Sequence, residues 1–456
     1  MRSDTRGTSL REVRDWFADR AARSPLAVRR VPFAELTDWS FDRRTGNLVH
    51  DSGRFFSIEG ARVRDDSHPA RRWSQPMIVQ PEIGILGLLL RRIGGEPHCL
   101  MQAKAEPGNV NGLQLSPTVQ ATRSNYTRVH SGRATRYLEY FVRPSPGRIA
   151  VDALQSEQGT WFYRKRNRNM VVEVDEDVPA HDGFRWLPLS GIWDLLQVDD
   201  LVNMDARTVL SALGRPAGAP AGPGTEFGAA LARSAAGEGE VHTTGEVVSW
   251  FTDAKARREL RACRIALNEV SGWHRLPDRI AHESGKYFSV VAVRVEAAGR
   301  EVTRWTQPLI EPCAQGIVAF LVRRFEGVPQ LLMRAACEPG YLDMVEMGPT
   351  VQCTESNYRD LPEYERPPFL DHVLAAPPER VRYEAVLSEE GGRFRHARNR
   401  YLVVEAGDDF PAEVSDDYCW MSLRQCQALL AHSHYLNIEA RSLLACIHSL
   451  TAGGPT

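Results

Sequence analysis

A chain that writes one long segment twice must build the same substructure twice. Residues 73–126 and 305–358 overlay without a gap at an offset of 232 (305 − 73), agreeing at 25 of 54 positions. Trp73 falls on Trp305, Glu106 on Glu338 and Asn125 on Asn357. The register holds through Phe162 and Phe394 and then slips by two, so that Trp186 meets Trp420 and Asn203 meets Asn437. Self-similarity on this scale implies two copies of one module. The chain is therefore divided into a first module at 1–213, a linker at 214–245 and a second module at 246–456. The linker is dense in Gly, Ala and Pro, which predicts little capacity to pack.

Within a copy, "RFFSIEGARV", "CLMQAKAE", "YLEYFVRP" and "RNMVVEV" are short β-branched or aromatic runs and read as strands. Residues 189–213 place Leu195, Leu196, Val198, Leu201, Val202, Val209 and Leu210 at helical spacing, and "SLRQCQALLAHSHYLNIEARSLLACI" repeats the pattern. The expected class is α+β: each module a mixed β-sheet followed by one long C-terminal amphipathic helix.

Charge and composition then narrow the partners. A net charge of −2 leaves no global positive field for nucleic acid or an acidic membrane surface. The longest apolar run, "IGILGLLL" at 83–90, falls well short of the roughly 20 residues of a membrane span. No secretory leader is legible in "MRSDTRGTSLREVRDWF", so a soluble, cytoplasmic protein is expected. Of eight cysteines, seven lie after residue 260 with no zinc-site spacing, and they read as reduced core thiols. No dinucleotide fingerprint, phosphate-cradling Walker loop or His-Glu-x-x-His occurs, so neither a cofactor nor a metal is expected.

The repeated stretch "EPGNVNGLQLSPTVQATRSNY" at 106–126, with its twin "EPGYLDMVEMGPTVQCTESNY" at 338–358, reads as a polar loop leaving a strand end, where function often sits. With "WSQPMIVQPEIGILG", "YRKRNRNMVVEV" and "LSEEGGRFRHARNRYLVVE", it resembles the NDP-hexose 2,3-dehydratases of deoxysugar biosynthesis over nearly the whole chain. That resemblance implies two fused Nudix-like modules and a homodimer. It also implies loss of the 2-hydroxyl from dTDP-4-keto-6-deoxyglucose, with a 3,4-diketo-2,6-dideoxy sugar passed on to a ketoreductase. The Nudix likeness leaves a nucleotide-sugar pyrophosphatase as one alternative, although its acidic metal-binding helix is not found here. A non-catalytic nucleotide-sugar binder is another.

The elimination needs a base for the proton on carbon 3, a donor at the ketone oxygen and an acid for the leaving hydroxyl. Lys104, Glu106 and Tyr126 are the candidates for these roles. Alternation puts Lys104 and Glu106 on one strand face, as a site pair or as a solvent-facing ion pair. Pro107-Gly108 and Pro339-Gly340 read as turns in which Gly supplies a positive φ. Candidate substrate contacts in the first copy are Trp73, Asn109, Asn111, Gln114, Thr118, Gln120, Ser124, Asn125, Arg164, Lys165 and Arg166. The second-copy pocket would use Trp305, Glu338, Tyr341, Glu346, Thr350, Gln352, Ser356, Asn357, Tyr358 and Arg393. The loop residues among them equally suit a loop stitched to its own backbone, and the basic "YRKRNRN" suits a solvated hairpin tip. Glu157 and Glu389 are alternative bases; His130 reads as structural. Ala336 stands where the first copy has Lys104, which makes the first copy the better equipped.

Overall fold

The computed structural model describes residues 10–23, 25–66, 71–123, 135–145, 148–214, 225–297, 303–407 and 409–451. Each copy builds a seven-stranded sheet with the same order and register. In the first, Ile149–Ser156, Arg166–Glu173, Gly84–Ile93, Glu96–Ala105 and Phe184–Pro188 lie side by side, with Leu113–Ser116 on Glu96–Ala105 and Val119–Ala121 on Gly84–Ile93. Gly84–Ile93 runs parallel to Arg166–Glu173, pairing Asn167 with Gly84. In the second copy Gly316–Phe325 runs parallel to Arg398–Glu405, pairing Asn399 with Gly316. These central strands are near-continuous apolar runs because both faces are covered.

The two smaller sheets are not private to their copies. Leu26–Val31 pairs along its length with Phe288–Ala297 of the second copy, while Leu260–Ile265 pairs with Ser57–Asp65 of the first. Each copy thus donates its opening strand to the other. The exchange places Trp39, Phe56, Leu267, Phe288, Phe162 and Phe394 in one shared core, with the last two rings 5.4 Å apart.

Four sequence expectations change. The repeated stretches at 106–126 and 338–358, read as polar loops, each carry two short strands, Leu113–Ser116 with Val119–Ala121 and Val345–Gly348 with Val351–Cys353. The C-terminal amphipathic stretch is not one helix: Leu189–Leu195 and Met204–Leu210 are separate, as are Leu423–Leu430 and Ile438–Thr451. The break comes where Asp200 and His434 take positive φ, after which Asn203 caps a new start and Val202 bridges to Leu115. The segment "YLEYFVRP" contains a one-turn helix, Glu139–Val142, rather than a strand. Phe141 is fully buried there against Gly87, where a Cβ would lie 2.6 Å from its ring, so packing on the sheet face overrides β propensity. The supposed linker contains the helix Glu226–Ala236, whose Phe227, Ala230, Leu231 and Ser234 recur at helical spacing and are buried. Gly lowers the local helix propensity, but the alanines of this segment favour a helix and four inward residues on one stripe give it a face to bury.

Candidate active site

Strand Glu96–Ala105 delivers Lys104, and the turn after it delivers Glu106, to a cavity of about 110 Å³. Gly108 is not at positive φ, as was expected of it. A Cβ there would lie 1.7 Å from the Phe394 carbonyl oxygen, so the glycine is required by close approach to the second copy. Gly108 N–H donates to Gly391 O at 2.7 Å and Gly108 O accepts from His396 N at 2.8 Å. Gly340 repeats the contact, donating to Gly159 O at 2.8 Å and accepting from Arg164 N at 2.8 Å. The repeated Glu-Pro-Gly turn is therefore a dock for the opposite copy's hairpin loop.

That docking makes each cavity composite. The first is lined by Gln80, Lys104, Glu106, Gln120, Lys165, Asn167 and Asp205 from its own copy, and by Glu390, Gly392 and Arg393 from the second. Glu106, only 6% exposed, has Oε1 3.4 Å from Lys104 Nζ and accepts there from Gln120 Nε2 at 2.8 Å. Arg393 donates to Gln80 Oε1 at 3.1 Å with its guanidinium carbon 4.3 Å from the Phe56 ring centroid, and Lys165 donates to the Glu82 carbonyl. Behind Asn167, Glu157 accepts its amide at 2.6 Å.

Burial in this carboxyl-rich space decides the charges. It raises Asp205 well above the usual carboxylate range, with Glu390 adding like-charge repulsion. It also raises Glu390, pushes Glu157 up to about 8 and pulls Lys165 down to about 8. Burial thus favours the protonated form of these carboxyls beside ammonium and guanidinium donors, the mixture that acid–base chemistry on a bound ketone requires.

The second cavity, about 330 Å³, keeps the frame with different contents. Glu338, Gln352, Asn399 and Glu439 occupy the places of Glu106, Gln120, Asn167 and Asp205. Ala336, Ala397 and Trp161 stand where Lys104, Lys165 and Arg393 are, and Arg334 is the cation in its lining. Burial pushes Glu338 up to about 7. Among the described residues, no group of three His, Cys, Asp or Glu side chains could hold a metal ion.

The candidates from the sequence divide accordingly. Lys104, Glu106, Gln120 and Lys165 meet in the first cavity, and Glu338, Gln352, Asn357 and Tyr358 in the second. Arg393, assigned to the second pocket, lies in the first, because its loop crosses between copies. Thr118 and Thr350 are internal stitches, donating to Leu100 O and Leu332 O at 2.5 Å. Asn109 bonds Gly112 O, while Asn111 and Gln114 bond Asp200 O and Ser388 Oγ. Tyr341 is buried with its hydroxyl on Asn437, and Glu346 is buried against Ser156. Trp73 and Trp305 sit at sheet edges, each donating to a glutamine two residues on. Arg164 occupies a left-handed turn, Arg166 opens a strand, and Ser356 lies in the turn Glu355–Asn357; none of them lines either of these two cavities. Ser124, Asn125, Tyr126 and His130 lie outside the described residues.

Sequence reasoning missed Asp205, Glu390, Asn167 and Gln80. Asp205 had a legible signal in Asn203-Met204-Asp205, a helix start hidden by reading one continuous helix. Glu390 reaches the site only because its loop crosses from the second copy, whereas Asn167, paired with Gly84 in the sheet, and Gln80, just after the strand Arg71–Val79, reach it from their own copy.

A family model described as NDP-hexose 2,3-dehydratase matches residues 10–213 and again 244–447. The chain is similar to the dTDP-4-dehydro-6-deoxy-alpha-D-glucopyranose 2,3-dehydratase of Saccharopolyspora spinosa, 52% identical over 97% of this chain and 92% of that protein. Its likeness to the enzymes of the same name from Amycolatopsis orientalis and Streptomyces violaceoruber is 49% over 98% of the chain and 48% over 96%. Those alignments cover 92% and 97% of the two relatives.

Proposed function

The chain belongs to the NDP-hexose 2,3-dehydratase family, and on that premise we propose that it eliminates water from dTDP-4-keto-6-deoxyglucose in the first cavity. The observation that carries the site is the meeting of Lys104, Lys165 and Arg393 with Glu106, Asp205 and Glu390 in one space built from both copies. Glu106 removes the proton on carbon 3. Charge passes to the carbon 4 oxygen, where the Lys104 ammonium stabilises the enolate. The electron pair then forms the bond between carbons 2 and 3 as the 2-hydroxyl departs, protonated by Asp205, whose burial favours the protonated form. The resulting enol tautomerises to the 3,4-diketo-2,6-dideoxy sugar. Arg393 and Lys165 are placed to take the diphosphate. Tyr126 is a second candidate acid.

Within this reading the modules are Nudix-like, the protein is a cytoplasmic homodimer, and a ketoreductase consumes the product. No described helix is long and apolar enough to cross a membrane. Incubation with dTDP-4-keto-6-deoxyglucose, without added metal, should give the diketo product with no free nucleotide; release of dTMP with the sugar unaltered at carbon 2 would reject the lyase. Sedimentation should give twice the 51.1 kDa chain mass at micromolar concentration, and a monomer would refute the dimer.

A further inference from the structure

We propose that Asn203, which does not line the cavity, is a positioning residue that sets the direction of Gln120 and through it the orientation of the Glu106 carboxylate. The inference rests on the first cavity being the catalytic one. A glutamine side chain can present its oxygen or its nitrogen to a neighbour with almost no change of shape, so only its partners decide. Glu106 needs the nitrogen, which Gln120 supplies, donating Nε2 to Oε1 at 2.8 Å. What prevents the reverse is the far end of the amide. Gln120 Oε1 accepts from Asn203 Nδ2 at 3.3 Å and from Ser116 Oγ at 2.9 Å.

A serine hydroxyl can rotate to donate or accept, so Ser116 alone does not impose a polarity. Asn203 does. Its Oδ1 caps the helix Met204–Leu210, accepting from Ala206 N–H at 2.8 Å, and a backbone amide cannot become an acceptor. The order is therefore anchored in the main chain: the Ala206 amide fixes Asn203, Asn203 fixes Gln120, and Gln120 holds Glu106 beside Lys104. At 3% exposure Asn203 has little alternative partner in water.

The second copy builds the same relay where the charged contents differ. Ala440 N–H donates to Asn437 Oδ1 at 2.9 Å, Asn437 Nδ2 to Gln352 Oε1 at 2.8 Å, and Gln352 Nε2 to Glu338 Oε1 at 2.9 Å. Lys104 has become Ala336 there, yet the frame that orients a glutamate is retained. The relay's common element is a carboxylate pinned through one oxygen.

Two substitutions separate positioning from plain helix capping. Asn203→Ser keeps a good cap but is too short to reach Gln120. Asn203→Asp keeps both the cap and the shape but faces Gln120 Oε1 with an acceptor, which drives Gln120 to turn its own oxygen toward Glu106. Positioning predicts that kcat falls about tenfold in Asn203→Ser and further in Asn203→Asp, with KM within about twofold and the unfolding midpoint of Asn203→Ser close to wild type. A capping role predicts the reverse order, Asp being the milder change, with losses read in thermal stability. Unaltered kcat in both variants, or the reverse order, overturns the proposal. Lys104→Ala, assayed alongside, tells the two readings apart. A crippled Lys104→Ala with unaffected Asn203 variants rejects the relay alone. A near-normal Lys104→Ala, together with collapse in Asn437→Ser, rejects the choice of cavity and with it the role of Asn203.

Discussion

The two cavities share a skeleton and differ in charge. Each has a glutamate held by a glutamine and an asparagine at a helix start, each a second acid on that helix, and each is closed by the hairpin loop of the other copy. Three cations in the first become Ala336, Ala397 and Trp161 in the second, and Glu390 becomes Gln158. Duplication thus preserved the parts that fix geometry, while the cations to which we propose to assign the developing charge diverged. A pocket whose lining keeps Arg334 as its cation, where the first has two lysines and an arginine, can bind but is less well equipped to support an enolate.

The sharpest way to break this comparison is to remove the reacting groups. Lys104→Ala or Glu106→Gln should lower kcat roughly 100-fold or more with the fold intact, whereas Glu338→Gln should cost less than about tenfold. If Glu338→Gln abolishes turnover in a folded protein and the other two are near wild type, chemistry belongs to the second copy. Next in size is the pair that occupies one place in the two crossing loops. Arg393→Ala should raise KM about tenfold by removing a charge-assisted contact. Trp161→Ala should instead show itself in stability, by about 2 kcal/mol on denaturant unfolding, because its ring packs 4.5 Å from that of Phe394. Equal KM effects would mean that both loops serve one kind of site.

A smaller effect follows from Glu338, raised by burial from 4.5 to about 7. Between those values the folded protein keeps a proton that the unfolded chain has released. The stability this group contributes is therefore fully present below about 4.5 and lost as pH rises to about 7. Glu338→Gln, which cannot ionise, should gain on wild type between pH 5 and pH 8, on the order of 1 kcal/mol, in paired thermal melts. A constant difference across that range would mean that Glu338 titrates normally. The smallest expected effect is that of EDTA. Ammonium and guanidinium groups already stand among the first cavity's carboxylates, so turnover should stay within about twofold on chelation. Loss restored by magnesium or manganese would show that a metal completes the site.

Much of this was legible in local order. Twenty-five shared positions disclosed the duplication, and the Glu-Pro-Gly and Pro-Thr-Val-Gln segments pointed to the family and to Lys104, Glu106 and Gln120. Reading those segments as ligand contacts went too far. Thr118, Asn111 and Gln114 spend their polar groups on the backbone and on the copy interface, a choice that composition cannot reveal because the same donors suit either partner. Arg207 and Arg441 show this most plainly. They look like ordinary charges on amphipathic helices, yet both are buried and reach across the copies to Ser388 O at 2.8 Å and Ser156 O at 2.6 Å.

The sequence by itself determined that there are two like modules, that Ser57–Asp65, Glu96–Ala105 and Arg166–Glu173 lie in extended runs, which family the chain belongs to, and that the first copy carries a lysine the second lacks. These are matters of local pattern and of position-by-position identity, and both survive in one dimension. Only the tertiary structure decided that the opening strands are exchanged, that Gly108 and Gly340 are glycines because another backbone lies against them, and that Glu390 and Arg393 complete the cavity of Glu106 from 284 and 287 residues away (390 − 106 and 393 − 106). The physical reason is that pairing partners for a strand edge or a buried charge are chosen by packing between segments distant in the chain, and residue spacing carries no record of that choice.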